Sequence, residues 1–119
     1  MKIAIPANEQ RSEAGICPSF GRAPWYAIFD TLSEELHFME NTAANSPGGA
    51  GIKAAQLLVD KGVKAVLAPR CGENAAQVLE PAGIEIFRTK SEDMLENIKA
   101  FQETELDLLE EIHPGYHGK

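Results

Sequence analysis

Between residues 45 and 87 the chain alternates helical and strand patterns, and that alternation limits the possible folds more than any other feature. Asn45-Ser46-Pro47-Gly48-Gly49-Ala50-Gly51 opens a helix, with Asn45 or Ser46 as N-cap and Pro47 tolerated in the first turn. Ala54, Leu57, Leu58 and Lys61 keep the helical spacing, and Gly62 stops it. Residues 63–68 are a short apolar strand. Residues 72–80 form a second helix with Ala75, Ala76, Val78 and Leu79 on its apolar side, ended by Pro81 and Gly83, and residues 84–87 are a further strand. Strand–helix–strand crossovers within one sheet are almost always right-handed, so these strands lie parallel and adjacent.

The N-terminal part fixes the rest of the sheet. Ile3 and Ile5, with small Ala4 between them, mark a buried first strand ended by Pro6. Residues 25–30 and 34–41 form a hairpin around Thr31-Leu32-Ser33, with Leu36 and Phe38 on one face and His37 and Met39 on the other. His37 is therefore expected at an exposed edge. Strands one, four and five are parallel neighbours, so the hairpin flanks strand one on its other side. The expected fold is α/β: a five-stranded mixed sheet of order 3-2-1-4-5 with strand 2 antiparallel, flanked by helices. Ser91 caps a third helix, with Glu92 and Asp93 complementing its dipole and Met94, Leu95, Ile98 and Phe101 as the buried stripe.

Residues 1–101 are thus read as one α/β domain. Residues 102–119 are read as an acidic helical extension with a tail bearing His113 and His117. Leu108, Leu109 and Ile112 either continue the third helix or begin another. Met94, Phe101 and Leu108 are seven apart, as are Ile98 and Ile112 with Glu105 between, which offers a face for a partner or for packing on the parent domain.

Composition removes several functions. Eleven Lys and Arg against 18 Asp and Glu give a net charge of −7, which does not supply the concentrated basic surface a nucleic-acid binder needs. No apolar run approaches the roughly 20 residues that span a bilayer, and the N-terminus turns polar before a signal-peptide core forms. A cytoplasmic protein with reduced thiols is expected, with neither nucleic acid nor membrane as partner. Two cysteines are too few for a disulfide scaffold.

Those two cysteines are the sharpest clue. Cys17 lies in the long loop after the first strand and Cys71 in the loop after the fourth. If those strands are parallel neighbours, both loops open at the sheet's switch point, where ligands gather in open α/β sheets. Soft sulfur ligands point to a metal or metal–sulfur cluster, and a helix start just after Cys71 favours thiolate. The opposing reading is two small buried residues, a common fate of free cysteine. Gly48, Gly49 and Gly51 either expose backbone N–H groups to an anion or allow close helix–sheet packing. Gly49-Ala50-Gly51-Ile52-Lys53-Ala54 matches a dinucleotide pattern formally, but no strand directly precedes it. A nuclease needs clustered carboxylates on the sheet, and the first strand has none.

Several segments read together carry a resemblance: Ser19-Phe20-Gly21-Arg22-Ala23-Pro24-Trp25-Tyr26 followed by Ile28 and Asp30; Asn45 with Pro47-Gly48-Gly49-Ala50-Gly51-Ile52; Gly62-Val63; Cys71-Gly72-Glu73-Asn74-Ala75; and Gly83-Ile84. The chain resembles the dinitrogenase iron–molybdenum cofactor biosynthesis family over roughly residues 1–101. The resemblance implies a ribonuclease-H-like three-layer fold. It also implies non-catalytic binding or carriage of an iron–sulfur or iron–molybdenum cluster or its precursor, with an assembly or acceptor protein as partner. Where many relatives have a histidine directly before Phe-Gly-Arg, this chain has Ser19. The candidate site is then Cys17 and Cys71 toward metal, and Arg22, Gly48, Gly49, Gly51 and Gly72 toward an anionic cofactor. Arg22 is favoured over Arg70 because it belongs to the family-like Phe-Gly-Arg segment. Two competing functions are an interaction module without a cluster and a thiol redox protein using Cys17 and Cys71.

Overall fold

In the computed structural model, which describes residues 1–109, the apolar runs become five strands of one mixed sheet. These are β1 (Lys2–Ala7), β2 (Trp25–Asp30), β3 (Leu36–Glu40), β4 (Val63–Ala68) and β5 (Glu85–Arg88); the helices are α1 (Ala50–Asp60), α2 (Glu73–Leu79) and α3 (Met94–Gln102). The spatial order is β3-β2-β1-β4-β5, as the connectivity requires. β2 runs antiparallel to both β1 and β3, while β1, β4 and β5 are parallel.

Strand alternation divides the core into two layers. Ala4, Tyr26, Ile28, Val66 and Ala68 pack with Ala54, Ala55 and Leu58 of α1 and Ala75, Ala76 and Leu79 of α2. Ile3, Ile5, Ala27, Phe29, Ala65 and Leu67 pack with Met94 and Ile98 of α3. The central strand β1 is buried on both faces, which explains why it reads as a nearly continuous apolar run.

Four local expectations are corrected. β3 begins at Leu36, because Glu34 takes a left-handed backbone (φ 62°) and the Asp30 carboxylate accepts from the Leu32 N–H at 2.8 Å, closing the turn. α1 begins at Ala50 after left-handed Gly49 (φ 70°), not at Asn45 or Ser46. Residues 41–46 are used up in turns of their own, in which the N–H groups of Ala44 and Ser46 donate to the carbonyls of Asn41 and Ala43. Asp93, rather than Ser91, caps α3, accepting from the Glu96 N–H at 3.0 Å. On that helix Leu95 is exposed and Asn97 is fully buried.

The helical extension is the fourth. After α3, Thr104 turns left-handed (φ 57°) and residues 107–109 run antiparallel along β5. The Arg88 N–H donates to the Asp107 carbonyl and the Leu109 N–H to the Ile86 carbonyl, each at 2.8 Å. Unpaired β5 backbone groups outweigh helical periodicity here, and Leu106 and Leu109 are buried as a result. Ile112, His113 and His117 lie outside the described residues. Among the described residues no helix is long and apolar enough to cross a membrane.

Asn97 fastens the segment that leads into α3. Its Nδ2 donates to the carbonyls of Ser91 and Asp93 at 3.0 and 2.7 Å, and its Oδ1 accepts from the Lys90 N–H at 2.7 Å. Removing that side chain strands buried backbone groups, so Asn97→Ala is expected to cost about 2–3 kcal/mol. Leu95→Gln, at an apolar but exposed position, is expected to change stability by about 0.5 kcal/mol or less. Urea unfolding of the two variants checks the contrast, and equal losses would overturn this account.

Candidate functional site

The loop of residues 8–24 is held by backbone contacts. Asn8 N–H donates to the Gly15 carbonyl at 3.3 Å, Ile16 N–H to Glu92 at 3.0 Å and Cys17 N–H to Pro6 at 2.8 Å. Ile16 belongs to the α3-side core and Phe20 to the α1- and α2-side core. The segment therefore crosses from one face of the sheet to the other beyond the end of β1. Tyr26 supports the far end, donating its hydroxyl to the Phe20 carbonyl while the two rings pack 5.5 Å apart.

A cleft of about 620 Å³ opens between this loop, the start of α1 and the β4–α2 turn. It is lined by residues 18–22, Ala50 and Gly51, Arg70 and residues 72–75. This is the crevice beyond the carboxyl ends of β1 and β4, where strand order reverses. Two arginines against one glutamate, Glu73, give the lining a positive balance in a chain of net charge −7.

The walls are joined by close contacts. A Cβ on Gly21 would lie 2.9 Å from both the Cα and the backbone N of Gly51, so only glycine permits this approach. Buried Asn41 donates from Nδ2 to the carbonyls of Gly21 and Ala23 at 3.0 and 2.8 Å. Arg22 Nη1 donates to the carbonyls of Ala44 and Ser46 at 2.9 and 3.2 Å, and its N–H donates to Ser19 Oγ at 3.2 Å.

Of the residues singled out from the sequence, Arg22, Gly51 and Gly72 line the cleft, whereas Gly48 and Gly49 do not. Neither cysteine is among the lining residues; Cys17 is 8% exposed and Cys71 is 1% exposed. Both thiols act on the buried Tyr26 hydroxyl, whose pKa is driven up first by burial and then by Cys71 and Cys17. Both sulfurs are buried rather than presented in the cleft. Burial also pushes the Cys71 thiol up from 9.0 to about 12, with a smaller push from Glu80. The helix start after Cys71 does not make it a thiolate: desolvation outweighs one short helix's terminus. Among the described residues no group of three or more His, Cys, Asp or Glu side chains is placed to hold a metal ion.

Sequence reasoning missed Asn41, the Tyr26 hydroxyl and Glu73. Asn41 was within reach, since an Asn between a strand end and a run of small residues is a turn-forming signal. The other two have no such local mark.

The comparisons with known proteins agree with this geometry. The chain belongs to the dinitrogenase iron-molybdenum cofactor family, whose model matches residues 1–104. It is 32% identical over 113 residues to an uncharacterised protein of Methanocaldococcus jannaschii, covering 92% of each chain. Its fold is similar to that of the apo form of the orange protein from Desulfovibrio gigas, with TM-score 0.86 and 25% identity over 92% of each chain. It is also similar to a Thermotoga protein proposed to be NifB, with TM-score 0.82 and 33% identity over 97% of this chain and 98% of that one.

Two predictions follow from the packing and the buried thiol. Gly21→Ala is expected to destabilise the protein by about 1–3 kcal/mol, because the added methyl meets backbone on the facing wall; thermal unfolding that matches wild type would refute the contact. A thiol with its pKa raised in the folded state favours folding below its ordinary 9.0 and loses that contribution as pH rises toward about 12. Stability should therefore fall across that alkaline window, and Cys71→Ala should flatten the fall. Denaturant midpoints from pH 8 to 11 test the sign, and an unchanged slope in the variant would reject it.

Proposed function

We propose that this protein binds and carries an iron–sulfur or iron–molybdenum type cluster, or a precursor of one, in the cleft beyond β1 and β4, without catalysing a reaction on it. The observation that carries this reading is a cationic, glycine-walled cleft at the switch point of a family-typical sheet, in an otherwise acidic chain. Metal–sulfide clusters are anionic, and such a cleft suits an anion. Its volume lies within the range of ordinary small-molecule sites, roughly 300–1,000 Å³.

The donor set argues for a guest that brings its own sulfides. No ready chelate for a bare ion exists among the described residues. Cys17 and Cys71 are buried outside the cleft lining, so neither meets a guest without local rearrangement. Two thiols at most would leave a cluster easily released, which suits a carrier that hands its load to an assembly or acceptor protein. The cytoplasm, with its reduced thiols, is the compartment this chemistry requires.

Anaerobic reconstitution with iron, sulfide and molybdate tests the reading. Wild-type protein is expected to gain visible absorption and bound metal that survive gel filtration. Protein that stays colourless and metal-free would sink it. The Cys17→Ala/Cys71→Ala variant separates the modes: lost uptake assigns the thiols as ligands, and retained uptake assigns the hold to the cleft lining.

A further inference from the structure

The two arginines of the cleft are in different states. Arg22 is exposed, yet its guanidinium already spans two carbonyls of the loop after β3, and its own N–H is held by Ser19. Arg70, on the opposite wall, has no hydrogen bond or ion pair among the described residues. It leaves β4 immediately after Pro69, whose fixed φ directs the turn. The single carboxylate of the lining, Glu73, accepts from Gln77 Nε2 at 3.4 Å, one turn along α2, and is not paired with Arg70.

We propose that Arg70 is the side chain that receives the anionic guest, and that Arg22 is a positioning residue that ties the loop of residues 17–23 to residues 44–46. This division rests on the cluster-carrier reading and reverses the assignment favoured by the Phe-Gly-Arg segment. The physical ground is coordination capacity. A guanidinium has five donors. On Arg22, Nη1 serves two carbonyls that fix its direction along the wall, so turning it toward a guest would break the join between the two loops. Among the described residues Arg70 has no bond to break when it turns, and a charge-assisted contact to an anion is a net gain there. A free guanidinium beside backbone glycines also needs no particular ligand geometry, which suits a guest whose shape differs from that of an organic cofactor.

Charge and geometry predict opposite rescue patterns at the two positions. At position 70 charge decides: Arg70→Gln should weaken uptake of the reconstituted cluster about tenfold or more, and Arg70→Lys should restore it to within about threefold, both with unchanged melting temperature. At position 22 shape decides. Lysine keeps the charge but not the fork, so Arg22→Lys should lower the melting temperature by about 4 °C and speed amide exchange in residues 41–49. Its cluster affinity should fall too, while the dependence of affinity on salt stays that of wild type. Molybdate alone, titrated against each variant and followed by amide NMR shifts, gives the same ranking without cluster assembly. Arg70→Gln binding both probes as wild type does, or Arg22→Lys matching wild type in melting and exchange, would overturn the assignment. Wild type that takes up no cluster but loses molybdate binding on Arg70→Gln would remove the carrier reading and leave Arg70 as an anion receptor. Wild type that binds neither probe would remove both.

Discussion

The cleft exists because two backbones touch. Gly21, on the loop that crosses the end of β1, lies against Gly51 in the first turn of α1 at a distance no Cβ would allow. That contact sets the separation between one wall and the next, and everything else in the site is arranged around it. Asn41 holds the carbonyls on either side of Arg22, Arg22 holds the loop after β3, and Tyr26 holds Phe20 from beneath. These bonds join residues 6 to 22 apart, yet together they fix two loops to one sheet end. Small residues do the same for the helices. Ala54, Ala55, Ala75 and Ala76 let α1 and α2 lie close to the sheet, so their N-termini are brought to the same rim.

Burial, not helix polarity, sets the chemistry of Cys71. A helix start offers partial positive charge within about one turn, worth roughly 0.3–1 kcal/mol when exposed. Removing a thiolate from water costs more than that, and for Cys71 the balance falls on the neutral form. Cys71 is therefore a protonated thiol beneath a charged cleft. The polar side chains of the cleft lining are Ser19, Arg22, Arg70, Glu73 and Asn74. On the proposed carrier reading, first contact with a guest falls to such groups rather than to the buried sulfurs.

The fold was largely legible because its signals are local and mutually consistent. Apolar runs of the right length, glycine stops and right-handed crossovers lead to one strand order, and that order is observed. Convergence of the two cysteine loops was legible for the same reason, since both leave neighbouring parallel strands. What could not be read was depth. Whether Cys71 sits in the lining or beneath it depends on how Phe20, Tyr26 and Ala75 fill the space around it. Residues 103–109 were misread because Leu106, Leu108 and Leu109 fit a helix face as well as an edge strand, and only the unpaired β5 edge decides between them. Leu95, expected in the buried stripe, is exposed, while Asn97 is buried because three backbone partners are offered to its amide.

On the proposed carrier reading, a site built this way grips by charge and shape rather than by enclosure. The cleft is open to solvent, so ionic attraction across it is screened by water and salt and cannot by itself give very tight binding. A deep pocket lined by thiolates would bind a cluster more firmly and release it less readily. With Arg22 tied to the loop after β3 and Arg70 without a partner among the described residues, the proposed contact to the guest stays adjustable while the rim keeps its shape. Transfer to an acceptor then requires only that the acceptor's ligands outcompete a few charge-assisted hydrogen bonds, each worth roughly 1.5–3 kcal/mol, and not that a coordination sphere be dismantled.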